Sequence, residues 1–339
     1  MTKIQQAGKT TTKDIKRTEN QSLIYHPHSS DGLILDKLAQ LDHPPHPKQP
    51  PTNLKRKARR VYFSKRLALE LSQLDTPLRE QYLRTVESCS TLIVQEGKKL
   101  ISKYCNNRWC TTCNNIRTAK LINGYEPVVA KMNEPYFVTL TRVTVNRSEL
   151  KDAINGRIKS LTKVIRSIRR KGIACNGIRK LECTYNIEED KYHPHFHLIV
   201  DGYDIAQTIV KKWILETRNQ NIKIDEQGQH IRPVDDDTLK ELFKYTTKLV
   251  AKDRSLCLPA LDHIFQCMYG KRTFQPFGNV RMIKEDIDEI QSQEYDIEPV
   301  ETAIYQWRVN DWFCMMSGRC LSGYMPSDNM HRLFEKMIT

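Results

Sequence analysis

Apolar and polar positions divide the chain into stretches of different character. Residues 1 to about 53 are polar and rich in proline (HPPHPKQPPTN), the pattern of a flexible arm. From about Ser64 to Val94 apolar residues recur at helical intervals, and a cysteine-rich stretch follows, ending near Lys120. From Glu134 the pattern becomes regular. PYFVTLTRVTV is β-branched and aromatic and predicts a strand. Ser148 then stands as an N-cap, with Glu149 in the first turn of a long helix. The apolar positions of that helix are Ile154, Ile158, Leu161, Val164, Ile165 and Ile168, three and four apart. Its other face carries Arg157, Lys159, Lys163, Arg166, Arg169 and Arg170, and Lys171-Gly172 ends it.

Two further strands, GIRKLECTYNI and HPHFHLIV, flank a polar EEDKY turn and are expected to pair as a hairpin. A helix from about Asp204 to Arg218, a strand region in NIKIDEQGQHIRPV and a helix from about Asp236 to Val250 complete the order β-α-β-β-α-β-α. The first six elements match the split β-α-β, ferredoxin-like unit, an α+β fold. In it an antiparallel sheet carries helices on one face and leaves the other free for ligands.

Lysines and arginines number 54 against 40 acidic residues, a balance of +14 that attracts polyanions such as nucleic acid or an anionic membrane surface. The charge is densest in Leu54–Arg66 (LKRKARRVYFSKR). There Arg56, Lys57, Arg59 and Arg60 are candidate phosphate contacts and Tyr62 and Phe63 a candidate stacking face, although a solvated linker has the same composition. No window approaches twenty uninterrupted apolar residues, so no membrane span is expected. The first residues lack an apolar signal core, which makes the cytoplasm the expected location and disulfides unexpected despite ten cysteines.

The most informative tract is Tyr192–Val200, YHPHFHLIV. In a strand His195 and His197 point the same way and Phe196 the other. Two imidazoles on one face need a third ligand to hold a metal, and the neighbouring hairpin strand offers Glu182 if it lies opposite His197, with the turn centred between Glu189 and Asp190. A His-His-Glu set leaves positions open for water or phosphate oxygens; the alternative is a pair of ordinary sheet histidines. His193 shares the face and could replace a ligand or contact DNA. In KELFKYTTK, Glu241 and Tyr245 are helical neighbours four apart, and Lys248 lies three beyond the tyrosine. A phenol with a pKa near ~10 needs a cation nearby to attack as phenolate. Glu241 could serve as the base for a water. A half-buried tyrosine beside a surface ion pair reads the same way. Cys89, Cys105, Cys110 and Cys113 suit a closed tetrahedral zinc site, Cys89 being the distant member.

FVTLT (Phe137–Thr141), IRKLECTYN (Ile178–Asn186), HPHFHLIV (His193–Val200) and KYTTK (Lys244–Lys248) resemble, in this order, the motifs of HUH endonucleases. The nearest likeness is to the single-tyrosine rolling-circle replication initiators of small bacterial plasmids. Tyr269–Arg272 through Phe277–Val280 is similar to that family's GxRxxxxFGG region, with Asn279 where a second glycine is common. CNNRWCTTC resembles the Cys-rich segment that precedes the family's nuclease domain. The resemblance implies a Cys-rich zinc module (81–125) and an HUH domain (126–285); a flexible basic arm (1–80) and a C-terminal extension of no assigned role (286–339) are expected outside it. It implies His195, His197 and Glu182 as ligands of Mg²⁺ or Mn²⁺, Tyr245 as nucleophile, Glu241 as the terminating glutamate, and Arg272 among the DNA contacts. The expected partners are a plasmid origin, single-stranded or hairpin, with host helicase and polymerase. A transposase or mobilisation relaxase would share the site, and a non-catalytic zinc-stabilised DNA-binding regulator would share the composition.

Overall fold

The basic run at residues 54–66 hides an apolar stripe. Leu54, Ala58, Val61, Leu67, Ala68 and Leu71 are all buried, and Thr52–Ser72 is a helix, α1. The structure, a computed structural model, describes residues 51–235, 238, 242, 256–283 and 292–338. The flexible arm expected through residue 80 is therefore corrected: α1 and the helix α2 (Arg79–Ser88) are ordered and packed on each other. The helical segment expected over Ser64–Val94 is broken at Asp75-Thr76-Pro77, where proline supplies no amide to continue the ladder. Its last residues instead enter the hairpin β1 (Leu92–Gly97) and β2 (Lys99–Ser102).

Helix α3 (Thr111–Val129) and strand β3 (Pro135–Leu140) follow. Asn146, not Ser148, opens the next helical segment. It forms a reciprocal capping box with Glu149 across a short 3-10 turn before α4 (Leu150–Arg169). Arg157, expected on the outer face of α4, is buried and donates from Nη2 to the Val143 carbonyl at 2.8 Å. Then come β4 (Gly177–Asn186), β5 (Lys191–Asp201), α5 (Tyr203–Arg218), β6 (His230–Pro233), β7 (Leu256–Cys257) and α6 (Leu258–Met268). The chain continues with β8 (Phe274–Phe277), β9 (Ser292–Glu294), β10 (Val300–Arg308), β11 (Asp311–Cys314), α7 (Asp328–Glu335) and β12 (Met337–Ile338). The helix expected over Asp236–Val250 lies, apart from Thr238 and Leu242, outside the described residues.

The protein is thus mixed α+β with antiparallel sheets. One sheet has the order β6-β3-β5-β4-β8, every pair antiparallel. Val138, Leu140, Leu181, Cys183, Phe196 and Leu198 face the main core with the apolar stripe of α4 and with Ile209 and Trp213 of α5. The opposite face was expected to be free. Half of it is covered: Phe137, Ile178 and Ile199 pack with Tyr125 and Val129 of α3, with Val280 and with Leu242. The remaining half carries polar side chains.

A second sheet has the order β11-β10-β1-β2-β9 and packs on the first turns of α1 through Leu54, Ala58 and Val61. Residues of 81–125 and 286–339, expected as separate domains, therefore share one sheet. That pairing joins strands about two hundred positions apart (Ile93 with Tyr305), a separation that local patterns do not reveal. No described helix is long and apolar enough to cross a membrane.

Candidate metal centre and its surroundings

The hairpin that carries the histidines turns over Ile187–Asp190, with Asp190 in the left-handed region at φ 50°. The Tyr185 hydroxyl donates to Asp190 Oδ1 at 2.8 Å, and the Glu188 amide to Asn186 Oδ1 at 3.1 Å, fixing the loop. This turn centres between Glu188 and Glu189, one position earlier than expected. Glu182 consequently lies opposite His195, not His197, whose partner is Lys180. A shift of two in the pairing preserves the face, so the expected triad still assembles.

Glu182 Oε2 stands 3.5 Å from Nε2 of both His195 and His197, and one ligand atom from each of the three residues lies within 4.8 Å of the others. Bonds of about 2.1 Å to a six- or four-coordinate ion separate neighbouring donors by roughly 3.0–3.5 Å, so the set fits a divalent cation. Tautomers favour the same reading. His195 Nδ1 is 2.9 Å from the His193 carbonyl, which can only accept, so Nδ1 carries the proton and Nε2 keeps its lone pair. His197 Nδ1 meets the Thr139 hydroxyl at 3.2 Å, and its ring stacks on Phe137.

Two partners escaped the sequence reading. Lys180 is buried, with Nζ 2.5 Å from Glu182 Oε1. The other is Thr139. Strand periodicity was the available signal: Lys180 two before Glu182, and Thr139 two after Phe137, share the histidine face. Burial would raise the Glu182 pKa. The contacts with His195 and His197 and the Lys180 charge outweigh it and hold the carboxyl well below the usual range. Burial, helped by His195 and Arg157, pushes His193 down to about 4, so it is neutral near pH 7. A cavity of about 730 Å³ opens over the triad, lined further by Thr184, His193, Asp225 and His230.

The cysteines also converge. Cys89 follows α2 directly, Cys110 caps α3 and Cys113 lies in its first turn, while Cys105 comes from the loop between. Cys89 Sγ is 3.5 Å from both Cys110 Sγ and Cys113 Sγ, and Cys105 Sγ is 3.5 Å from Cys113 Sγ. All four lie within 4.8 Å of one another. Four sulfurs about 2.3 Å from a tetrahedral ion would be about 3.8 Å apart, so the set suits zinc. The N-terminus of α3 and the buried ammonium of Lys65 favour thiolate there. Lys65 is lowered by burial and raised in opposition by Cys89, Cys110 and Cys105.

Arg56, Arg59, Arg60 and Arg272 are exposed, as phosphate contacts must be. Lys57 is corrected: only 8% exposed, its ammonium sits 5.4 Å from the Tyr295 ring centroid. Tyr62 and Phe63 offer no stacking platform either, because Phe334 of α7 packs against both and Tyr324 against Tyr62. Gly278, in the FG pair of the later motif, has φ 71° and lies against Asn176 and the Cys175 carbonyl, where a Cβ would collide. Tyr245, Glu241 and Lys248 lie outside the described residues.

The sequence model of a family described as "Replication protein" matches residues 98–202, which include three of the four cysteines and the whole His-His-Glu set. The chain is 27% identical over 202 residues to a protein from Staphylococcus aureus named "Protein rep", covering 52% of this chain and 88% of that one. A "Protein rep" of Streptococcus pneumoniae serotype 2 is 27% identical over 241 residues, 64% of this chain and 68% of the relative. Another from Bacillus sp is 32% identical over 102 residues, 29% of this chain and 33% of its own length. No solved structure matches significantly. Family match and relatives agree with the motifs, and together they support a replication protein of the rolling-circle plasmid initiator kind.

Proposed function

We propose that this protein nicks one DNA strand at a plasmid origin by metal-assisted tyrosine transesterification. The observation that carries the reading is the convergence of Glu182, His195 and His197 on one polar half of a sheet face, beneath an open cavity. The strand order β6-β3-β5-β4, with the first strand of the unit central, supports a ferredoxin-like split β-α-β arrangement. Leu242, three positions before Tyr245, packs with Phe137, Ile178 and Ile199 on the same sheet face as the triad, which favours Tyr245 as nucleophile.

Glu182, His195 and His197 would hold Mg²⁺ or Mn²⁺, the latter better matched to two imidazoles; the ion would polarise a phosphate oxygen and offset its growing charge. The Tyr245 phenolate, favoured by the Lys248 ammonium, attacks the scissile phosphorus. A phosphorus–tyrosyl oxygen bond forms and the bond to the 3′ oxygen breaks, leaving a 5′-phosphotyrosine and a free 3′-OH for a host polymerase. Glu241 deprotonates the water that later resolves an intermediate. The cavity admits a locally single strand, so a hairpin at the origin and a host helicase to unwind beyond it belong to the reading. The cysteine cluster is proposed to hold a structural zinc. Arg56, Arg59, Arg60 and Arg272 are proposed to contact phosphates, and the cytoplasm is the proposed location.

The test is nicking of supercoiled plasmid carrying the protein's own origin. Nicking should require divalent cation, stop in EDTA, and fall by several orders of magnitude in His195→Ala or His197→Ala with origin binding retained. Undiminished nicking in excess EDTA would remove the metal from the mechanism.

A further inference from the structure

Away from the histidine cavity, two further cavities of about 980 and 650 Å³ meet at Gln81 and Tyr269, which line both, and so form one trough. It runs from the start of α4, past the end of α6, to the loop that carries Cys105. None of its lining residues lines the cavity over the triad, yet Val143 and Thr144 border that cavity while Asn146 and Arg147 border the trough. One short segment therefore joins the two.

Charge in the trough is unbalanced. Arg84, Arg108, Arg147 and Lys151 line it against two carboxylates, Glu80 and Asp190, and all four cations are exposed. At the cysteine end the imbalance is sharper. Arg117 lies close enough to Arg108 for like-charge repulsion, and Arg117 Nη1 is buried without a hydrogen-bond partner. Arg108 itself donates to the Lys271 carbonyl, tying the cysteine loop to the Tyr269–Arg272 turn. Gly270, at φ 70°, lets the chain turn there, and Tyr269, 58% exposed, stands between the two cavities. An exposed aromatic ring between cations is the arrangement that stacks unpaired bases while their phosphates are neutralised.

The geometry points to a single-stranded DNA path along this trough, in which Arg84, Arg147 and Lys151 contact phosphates and Tyr269 stacks a base of the strand flanking the nick. This rests on the nicking function proposed above and gives the cysteine module and the Tyr269–Arg272 motif a shared task. A duplex would meet the same cations but could not offer an unpaired base to Tyr269.

The experiment is fluorescence anisotropy of the full chain with labelled oligothymidylate and with labelled duplex, titrated with salt. Arg84→Ala combined with Lys151→Ala should lower the slope of log affinity against log salt for the single strand by about 1.4, at roughly 0.7 per phosphate contact. Tyr269→Ala should weaken single-strand binding roughly 5- to 150-fold, and Tyr269→Phe should restore it. Lys98→Ala with Lys99→Ala, on the β1–β2 turn, should leave both quantities unchanged. Wild-type slope and affinity in the trough variants would overturn the proposal. So would a loss confined to duplex with no effect of Tyr269→Ala, which would assign the trough to duplex. The nicking assay separates the two readings: wild-type protein that nicks while its trough variants bind as wild type sinks only the trough, whereas wild-type protein that does not nick its origin sinks the proposed function.

Discussion

Lys180 Nζ lies 2.5 Å from one oxygen of Glu182 while the other oxygen stands 3.5 Å from each histidine Nε2. The carboxylate is divided between a permanent cation and a place for a second one. An ion held here would find only one Glu182 oxygen free, with the carboxylate charge already offset by Lys180. Lys180→Met would leave Glu182 buried without its fixed counter-ion, at a cost of about 3–5 kcal/mol. A bound divalent ion would relieve that cost. Calorimetry should therefore show a lower Tm for the variant in EDTA, a larger rise on adding Mn²⁺ than in wild type, and slower nicking. Equal Mn²⁺-induced rises in the two proteins would show that Lys180 does not govern the site's charge.

The cysteine cluster makes a separate prediction. Four sulfurs this close cannot all carry thiolate charge without a cation between them. Metal analysis of protein purified without chelator should find about one zinc per chain. Cys113→Ser should lose it and lower the Tm by roughly 10 °C or more. Cys89→Ser should do the same, because Cys89 Sγ reaches both Cys110 and Cys113. Full zinc retention in Cys89→Ser would place the fourth ligand elsewhere.

Strand alternation put His195 and His197 on one face, a hairpin register with Glu182 opposite His197 added the glutamate, and that shared face survives any even register error. The register itself was not legible, because EEDKY is polar throughout and any position in it could centre the turn. Lys57 shows the opposite failure. Inside a run of seven cations it read as surface, yet it occupies a buried position of the stripe Leu54, Ala58 and Val61. Composition there masked the period. The second sheet was illegible for a topological reason, since β1 finds β10 only after the intervening domain has been traversed.

Burial pushes the Lys57 pKa down from 10.5 to about 8. Below pH 8 both folded and unfolded chains hold the proton, and the cost of burying the charge is fully present. Between about 8 and 10.5 the folded chain releases the proton while the unfolded chain keeps it, so this residue makes stability rise with pH. Lys57→Met should stabilise the protein at pH 7 by about 1–3 kcal/mol and flatten that rise, with DNA affinity unchanged. Urea denaturation at pH 7 and pH 10 measures both. A destabilised variant at pH 7 would mean that the contact with Tyr295 outweighs the burial penalty.

The central claim is that a tyrosine of this chain becomes covalently joined to DNA with the help of the Glu182, His195 and His197 site. It is tested most directly by incubating the protein with a labelled single-stranded oligonucleotide that carries its origin hairpin, resolving adducts on a denaturing gel, and mapping the DNA-bearing peptide by mass spectrometry. Wild-type protein should give an adduct at Tyr245 that needs Mg²⁺ or Mn²⁺. Tyr245→Phe should give none while binding the oligonucleotide normally, and Glu241→Ala should accumulate adduct because its resolution is impaired. Adduct formation by Tyr245→Phe at the wild-type level, or by wild-type protein in excess EDTA, would contradict the account.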